Sequence, residues 1–451
     1  MRKAKKYFGT DGIRGESGGP VINPGFAYQL GIAVDQQLKK DGQESGLVCI
    51  GRDSRSSGPD LRDNIAAGLH SEGFASADLG IVPTPAVSLH TLSTDCVLGV
   101  VLTASHNPAK DNGFKFFQAT GRKVTPEWEA EVETRIPDKP FSGTVLIPNL
   151  EDAHSAALEK FIGHLPSNEP QLDGLTIALD TAAGATCNTS PEVLRRLGAK
   201  LLQIGAGPDG QQINNAIGSE HPGKIIEAVK SGQADLGLAH DGDGDRLIVC
   251  DEEGNLLSGD EVLGILAIER IQKGLLPQNT LVGTILCNEG LGLTLKQHEG
   301  QLLRTDVGDR NVTTRMAEGG FTLGGEPSGH FVLADRLPTG CGLHAAIELL
   351  SIRQYSGKTL SELRQQITLF PQATLNLEVD VKPPLAGLAG FQKGLAKINM
   401  HLGENGRTLV RYSGTEPKVR LLVEARDEKT VQETLAALEY IVRRDLPVTN
   451  P

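Results

Sequence analysis

Three aspartates alternate with glycines in the stretch "AHDGDGDRLIVC", directly after an apolar segment that is typical of a buried strand. Asp241, Asp243 and Asp245 repel one another unless a cation neutralises their charge. The glycines let the backbone bend so that the three carboxylates converge, and hard oxygen ligands of this kind suit Mg²⁺. The spacing therefore predicts a magnesium site with one ion per chain, in preference to a solvated acidic turn.

A calcium-binding loop is the alternative for this stretch, because Glu252 is the twelfth residue counted from Asp241. Such a loop needs a glycine at its sixth position, where this chain has Arg246. The residues "LIVC" that follow are typical of a strand rather than of a helix. The pattern favours magnesium, and a non-catalytic calcium-binding protein stays a distant alternative.

A serine, Ser105, follows the apolar run "VLGVVLT" and opens a polar loop that contains His106 and runs to Lys115. The sequence around it is not the G-x-S-x-G of a hydrolase nucleophile, and a helix N-cap is the alternative role. A serine oxygen close to Mg²⁺ can carry a phosphoryl group, since the metal and nearby cations screen the moving charge. The loop therefore indicates that Ser105 carries a phosphoryl group.

The loop "GGEPSGHF" (324–331) also follows a predicted strand. Glu326 can accept hydrogen bonds from sugar hydroxyls, and Ser328 can donate or accept them. His330 can move a proton near neutral pH. A polar turn with a packed histidine is the alternative interpretation of this loop taken alone.

The stretch "VRYSGTEPKVR" (410–420) lies between two predicted strands near the end of the chain. Its glycine, Gly414, frees backbone N–H groups, and the side chains around it are Arg411, Ser413, Thr415 and Arg420. Donors and cations in this arrangement form a concavity that binds an anion. We expect a phosphate site here rather than a hairpin with ordinary surface charges.

The net charge of −12 argues against a nucleic-acid partner or an anionic membrane, and no apolar stretch is long enough to span a bilayer. We therefore expect small-molecule ligands. An acidic protein that holds phosphates needs local cations, and this chain supplies Arg14, Lys115, Arg246, Arg411 and Arg420.

The cysteines number six and lie mostly inside apolar runs without the spacing of a metal site. This usage favours free, buried thiols in a reducing compartment. The basic first residues are not followed by the apolar segment of a secretion signal. We expect a cytoplasmic protein.

Predicted strands and helices alternate along most of the 451 residues, which is typical of α/β domains built on largely parallel sheets. The last part of the chain differs, because predicted antiparallel strands and one amphipathic helix there indicate a small α+β domain. The predicted domains carry, in chain order, Ser105, the three aspartates, the 324–331 loop and the 410–420 loop. Their predicted boundaries are 1–153, 154–254, 255–368 and 371–451.

Four motifs occur in a fixed order: "TASHN", "DGDGDR", "GEPSGH" and "SGTEP". With them the chain resembles the α-D-phosphohexomutase superfamily along its entire length. The resemblance implies three α/β domains around a central cleft plus a C-terminal α+β domain similar to the TATA-binding protein. It also implies a phosphosugar substrate, and we expect a monomer or a homodimer.

The resemblance implies a role for each motif. Ser105 would be the phosphorylated residue, and its phosphate would hold Mg²⁺ together with Asp241, Asp243 and Asp245. Lys115 and His330 would be the general acid and base, with Arg14 and Arg246 near the phosphoserine. The sugar hydroxyls would contact Glu326 and Ser328, and the distal phosphate would contact Arg411, Ser413, Gly414, Thr415 and Arg420.

Three further stretches, "KYFGTDGIRG", "VPTPAV" and "VGDR", are similar to the branch that acts on glucosamine phosphates. The implied reaction interconverts glucosamine 6-phosphate and glucosamine 1-phosphate through a bisphosphorylated sugar, for amino-sugar nucleotide synthesis. The alternative within the superfamily is a phosphomannomutase/phosphoglucomutase. Pro327 and Cys341 depart from this resemblance, since we expect glutamine or methionine at the first position and aspartate at the second.

Overall fold

The computed structural model describes residues 6–71, 73–165, 169–413 and 416–449. The chain forms two compact units. The first unit contains residues 1–286 and 298–366, and the second contains residues 287–297 and 367–451.

The first sheet has six strands in the order β1-β5-β4-β2-β3-β6. Its strands are β1 Ile13–Glu16, β2 Gly46–Arg52, β3 Phe74–Ile81, β4 Cys96–Leu102, β5 Asp111–Gln118 and β6 Glu151–Asp152. Its helices are α1 Pro24–Lys40, α2 Gly58–His70, α3 Thr84–Leu92, α4 Pro126–Glu133 and α5 His154–Gly163. Helices α1 and α2 cross closely at Gly31, where a Cβ atom would lie 2.3 Å from the carbonyl oxygen of Ile65.

The second sheet has the order β11-β10-β9-β7-β8. Its strands are β7 Thr176–Asp180, β8 Lys200–Ile204, β9 Leu236–Ala239, β10 Ile248–Cys250 and β11 Leu256–Leu257. Helices α6 Ser190–Arg196 and α7 Gly223–Lys230 connect its parallel strands. A buried apolar cluster around Ile225 joins α7 to this sheet.

The third sheet has the order β13-β12-β14-β15. Its strands are β12 Thr280–Thr284, β13 Gln301–Thr305, β14 Leu323–Gly325 and β15 Phe331–Leu333. The helices in this part of the chain are α8 Gly259–Gln272, α9 Glu289–Gln297, α10 Asp309–Gly319, α11 Gly342–Ser356 and α12 Leu360–Arg364. Helix α9 belongs to the second compact unit, and the other four belong to the first.

The second unit contains a three-stranded antiparallel sheet in the order β16-β18-β17. Its elements are β16 Gln372–Glu378, α13 Ala389–Leu402, β17 Gly406–Tyr412, β18 Lys418–Ala425 and α14 Glu428–Asp445. The Asp427 side chain caps α14 by accepting a hydrogen bond of 2.9 Å from Thr430 N. A core of buried aliphatic residues and Phe391 lies between this sheet and its two helices. The predicted α+β domain is therefore confirmed.

The sheets of the first unit combine a parallel part, as predicted, with antiparallel strands at one edge of each sheet. Short connections join β4 to β5, β9 to β10 and β14 to β15, and a short connection allows only antiparallel pairing. These connections are the serine loop (103–110), the aspartate loop (240–247) and the histidine loop (326–330). In the second unit, β17 and β18 also pair antiparallel.

The six cysteines are buried and free, as predicted. Within the described ranges, every helix falls short of the length and apolar character needed to cross a bilayer.

Candidate active site

Ser105 is buried, with 2% of its surface exposed, and its backbone is left-handed, with φ of 52°. Such a conformation costs a non-glycine residue about 1–3 kcal/mol and occurs mainly where function needs it. The hydroxyl donates a hydrogen bond of 2.6 Å to Asp241 Oδ2 and lies 3.2 Å from His106 Nδ1. The serine loop thus brings a hydroxyl group to the aspartate loop.

The three aspartates are buried, and one carboxylate oxygen of each lies within 4.8 Å of those of the other two. A glycine is required between them at position 242, since a Cβ atom there would lie 2.6 Å from the carbonyl oxygen of Ser105. Among the described residues, Asp243 Oδ1 and Asp245 Oδ1 have no hydrogen-bond partner. Buried carboxylate oxygens without partners that converge in this way fit a hard divalent cation.

The electrostatics of the aspartate loop agree with this fit. Burial raises the pKa of Asp241 well above its usual range, and the negative charges of Asp245 and Asp243 raise it further. A divalent cation among the three carboxylates would offset both effects.

Lys115 lies on β5 with 2% of its surface exposed. Its Nζ atom is 2.8 Å from Asp243 Oδ2, 3.2 Å from Asp245 Oδ2 and 3.1 Å from Asp11 Oδ2. Burial alone would lower the pKa of Lys115, but the three carboxylates outweigh it and raise that pKa well above its usual value. Lys115 therefore supplies a fixed positive charge beside Asp243 and Asp245.

Glu252 does not join the three aspartates as a calcium-binding loop would require. Its carboxylate accepts hydrogen bonds from the backbone N–H groups of Leu360 and Ser361, at the start of α12. Residues 248–250 form β10, as the sequence predicts. These contacts count against the calcium-binding alternative.

His330 ends the histidine loop and is buried. Its Nε2 atom lies 3.9 Å from Asp245 Oδ2 and 3.6 Å from Asp309 Oδ2, and neither ring nitrogen has a hydrogen-bond partner among the described residues. The backbone N–H of Leu247 donates to the carbonyl of Gly329, so the aspartate and histidine loops are joined directly. This contact holds the imidazole close to Asp245.

One cleft of about 320 Å³ is lined by all three α/β parts of the first unit. A volume of this size suits a small-molecule ligand. The predicted site residues on its wall are Ser105, Arg14, Asp245, Arg246, Glu326, Ser328 and His330. Arg14 donates to Asp11 Oδ2 at 2.5 Å, and Arg246 donates to Glu220 Oε1 at 3.0 Å. The cleft thus combines a hydroxyl, carboxylates, cations and an imidazole.

In the second unit, Arg411 on β17 and Arg420 on β18 are directly opposite each other. Burial and the charge of Arg420 lower the pKa of Arg411. Arg420 donates to Glu416 Oε2 at 2.5 Å, and Lys382 donates to the carbonyl of Ser413 at 2.6 Å. Cations packed together in this way favour an anion, while the predicted Gly414 and Thr415 lie outside the described residues.

Several residues of the first unit that lie in or beside the site were not predicted from the sequence. Lys123 forms ion pairs with both Asp11 and Asp309, and Arg55 binds the backbone of the serine loop. Asp11 and Asp309 could have been predicted from the sequence, because both lie in stretches that carry the resemblance, "GTDG" and "VGDR". Arg55 gave no such signal, since it is one of many arginines that follow a predicted strand.

Four domain models of phosphoglucomutase/phosphomannomutase match the chain. Alpha/beta/alpha domains I, II and III match residues 5–142, 155–254 and 258–370, and the C-terminal domain matches residues 375–439. Curated relatives named phosphoglucosamine mutase include one from Clavibacter sepedonicus, 38% identical over 98% of this chain and 100% of that protein. Another, from Marinobacter nauticus, is 40% identical over 98% of this chain and 99% of that protein.

Solved structures share the fold. A phosphoglucomutase/phosphomannomutase family protein from Burkholderia thailandensis superposes with a TM-score of 0.81, at 24% identity over 98% of both chains. The N-acetylphosphoglucosamine mutase of Aspergillus fumigatus, in complex with GlcNAc-6P and magnesium, has a TM-score of 0.67 at 17% identity. That match covers 98% of this chain and 96% of the fungal one.

Proposed function

The chain belongs to the phosphoglucomutase/phosphomannomutase family, and we propose that it interconverts glucosamine 6-phosphate and glucosamine 1-phosphate. The observation that carries this proposal is the hydrogen bond of 2.6 Å to Asp241 Oδ2 from the hydroxyl of Ser105, which lines the cleft. The curated relatives named phosphoglucosamine mutase support the choice of a glucosamine substrate. The chain is an isomerase that moves a phosphoryl group between two oxygens of a sugar.

In the proposed mechanism Ser105 carries a phosphoryl group on Oγ. The bond between Oγ and phosphorus breaks as the free hydroxyl oxygen of the sugar bonds to the phosphorus, which gives a bisphosphorylated sugar. The sugar then turns over in the cleft, and Oγ bonds to the phosphorus of the other phosphate as the bond from that phosphorus to the sugar oxygen breaks and the sugar oxygen takes up a proton. The serine is thereby rephosphorylated, and the phosphate of the released sugar is on a different carbon.

Lys115 and His330 are the candidates for the general acid and the general base of the reaction. Each has a nitrogen within 4 Å of Asp245 Oδ2, and His330 also lines the cleft. Arg14 and Arg246 add positive charge to the cleft wall, where the phosphates would lie. His330 could accept the proton of the attacking hydroxyl, whereas Lys115, which its three carboxylates keep protonated, could act only as the acid.

The residues that would hold one Mg²⁺ are Asp241, Asp243 and Asp245, together with the phosphate on Ser105. When bound, this ion neutralises the charge on the phosphoryl group during transfer. Lys115 stays beside the carboxylates as a second, covalently fixed cation.

We assign the residues that bind the rest of the substrate from their hydrogen-bonding groups and charges. Glu326 and Ser328 line the cleft and present an acceptor and a hydroxyl to the sugar. In the second unit, Arg411 and Arg420 face each other and Arg420 Nε has no hydrogen-bond partner among the described residues, so we assign to this arginine pair the distal phosphate, together with Ser413. This site would bind each of the two phosphates in turn, so we expect the C-terminal domain to move during turnover.

A phosphomannomutase/phosphoglucomutase is the second candidate, because the matching domain models carry that description. A coupled assay with glucosamine, glucose and mannose phosphates at equal concentrations separates the two. We expect the highest kcat/KM for glucosamine phosphate. A glucosamine rate below the other two would overturn the substrate assignment but leave the mutase reaction intact. The domain boundaries, the cytoplasmic location and the monomeric or homodimeric state stay predictions.

A further inference from the structure

Arg55 is completely buried beneath the serine loop, and it is not among the described residues that line the cleft. It follows β2, and its guanidinium group donates to carbonyl oxygens of that loop. Nη2 lies 3.0 Å from the carbonyl oxygen of Ser105 and 2.7 Å from that of Asn107. Nη1 lies 2.7 Å from the carbonyl oxygen of Asp111 and also donates to Pro108.

A second path leads from the same arginine to the N–H group of Ser105. Arg55 Nε donates to Asp53 Oδ2 at 2.9 Å, and the Thr103 hydroxyl donates to the same oxygen at 2.6 Å. Thr103 Oγ1 in turn accepts a hydrogen bond of 2.8 Å from the N–H of Ser105. Both backbone polar groups of Ser105 are therefore fixed by one buried network.

The second α/β part of the chain adds one donor to this network. Asn214 Nδ2 lies 2.8 Å from the carbonyl oxygen of Ser105 and 3.0 Å from that of Asn107. The Ser105 carbonyl thus accepts hydrogen bonds from two side chains, that of Arg55 in the first α/β part and that of Asn214 in the second. These bonds orient the peptide groups on both sides of a residue whose backbone is left-handed.

A buried guanidinium group is a costly way to stabilise a fold, because its charge must be desolvated and apolar residues of similar size can serve as well. Here its hydrogen bonds are concentrated on the segment that carries the reactive hydroxyl. A rigid fork with several donors can fix several carbonyl groups at once, which a lysine cannot do. The contacts therefore indicate that Arg55 fixes the conformation of the serine loop.

We infer that Arg55 is a positioning residue for phosphoryl transfer. Through the carbonyl of Ser105 directly, and through Asp53 and Thr103 to its N–H, it holds the strained serine so that its hydroxyl faces Asp241. This inference rests on the proposed function, in which Ser105 carries the phosphoryl group. An error of about 1 Å in the position of a reacting group slows a reaction by roughly a hundredfold.

The first test compares Thr103→Val with Thr103→Ser. Valine has the shape of threonine but lacks the hydroxyl, whereas serine keeps the hydroxyl that links Asp53 to Ser105. Each protein is loaded with a hexose bisphosphate, and transfer from Ser105 to a sugar phosphate is followed in a single turnover by quenched-flow mass spectrometry. We expect Thr103→Val to transfer about 10- to 100-fold more slowly per phosphorylated molecule, and Thr103→Ser to stay close to wild type.

The second test compares Arg55→Lys with Arg62→Lys. Arg62 forms ion pairs with Asp63 and Asp78 outside the cleft, so its replacement controls for the loss of a guanidinium group. We expect Arg55→Lys to lower the transfer rate per phosphorylated molecule at least tenfold, with unchanged dependence on sugar phosphate concentration. We expect Arg62→Lys to match wild type.

A purely structural role would reduce the amount of folded, phosphorylated protein without changing the rate of each phosphorylated molecule. A Thr103→Val rate equal to that of Thr103→Ser would therefore overturn the inference, even if Arg55→Lys fails to fold. Failure of the proposed function has a different signature, because wild-type phosphoprotein would then transfer to no sugar phosphate. A wild type that prefers another hexose phosphate leaves this test valid with that acceptor.

Discussion

The ammonium group of Lys115, on β5 of the first sheet, lies 2.8 Å from Oδ2 of Asp243, in the aspartate loop between β9 and β10. The same nitrogen contacts Asp245 and Asp11, so one buried cation is shared among three carboxylates. Asp11 has further partners in Arg14 and Lys123, whereas the three carboxylates of the aspartate loop outnumber the one ammonium group that lies beside them. The geometry leaves negative charge for a metal ion and explains why cations surround the serine.

Asp243→Asn tests the metal assignment. We expect the affinity for Mg²⁺ to fall at least about tenfold, because one anionic ligand is lost. The protein should stay folded, since Lys115 keeps Asp245 and Asp11 as partners. Calorimetry with MgCl₂ measures the affinity directly, and Asp60→Asn in the exposed first turn of α2 is the control. Unchanged Mg²⁺ affinity and turnover would count against the assigned ligand.

Ser105→Ala tests the phosphoryl carrier. We expect a fraction of the purified wild-type protein to be heavier by one phosphate in intact mass spectrometry, and this species to be absent from the variant. Mutase activity should be lost, because no other residue is assigned to carry the phosphoryl group. Thermal unfolding of both proteins checks that the variant is folded. A phosphorylated, active Ser105→Ala protein would exclude the mechanism.

The parts of the fold and site that the sequence could predict are local ones. The aspartate loop is contiguous, so alternation with glycine and the preceding apolar strand are sufficient to predict its convergence. The C-terminal strands and the Asp427 cap are likewise decided within a few residues. The four motifs and their order carried the resemblance, and the resemblance predicted the family.

The features of the fold and site that were not predicted depend on contacts between segments that are far apart in the sequence. Arg55 reaches the serine loop 50 residues away, and Lys123 reaches Asp309 across 186 residues. Neither has a periodic or motif signal, because a buried cation is specified by partners that only folding brings together. The antiparallel edges of the sheets escaped for a related reason, since loop length rather than strand composition decides them.

Lys123→Met tests the ion pairs that Lys123 makes with Asp11 and Asp309. The Lys123 side chain is only 7% exposed, so removing it leaves two carboxylates with less compensation, and we expect a loss of about 3–5 kcal/mol in the free energy of unfolding. Adding Asp309→Asn should cost less than the sum of the two single changes, because the residues interact. Urea unfolding measures both. Lys6→Met removes an exposed pair with Asp138 and should change stability by less than about 1 kcal/mol.

Arg420→Met tests the phosphate site of the second unit. Arg420 Nε is buried and has no hydrogen-bond partner among the described residues. Loss of a charged hydrogen bond worth about 1.5–3 kcal/mol should raise KM for the sugar phosphate by about 10- to 100-fold. Arg426→Met is the matched control, since Arg426 lies over the Phe370 ring in the same unit. Equal KM values for the two variants would remove Arg420 from the proposed site.

His344→Phe tests a pH dependence of stability away from the cleft. Burial, together with the nearby charges of His164 and Arg336, lowers the pKa of His344 to about 3, whereas a histidine in the unfolded chain titrates near 6.5. As the pH falls below about 6.5, the unfolded chain therefore takes up a proton that the folded protein does not. This favours unfolding, so the stabilising contribution is complete above that pH and is lost in acid.

The loss amounts to about 2 kcal/mol at pH 5, and phenylalanine at position 344 should abolish it. We expect the decrease in Tm between about pH 7.5 and pH 5 to be smaller in His344→Phe than in wild type. Phe161→Leu is the control, because Phe161 stacks on His344 with ring centroids 5.8 Å apart. It should lower Tm by a similar amount at both pH values and keep the wild-type difference between them. An identical decrease in wild type and His344→Phe would show that His344 is protonated to the same extent in the folded and unfolded protein.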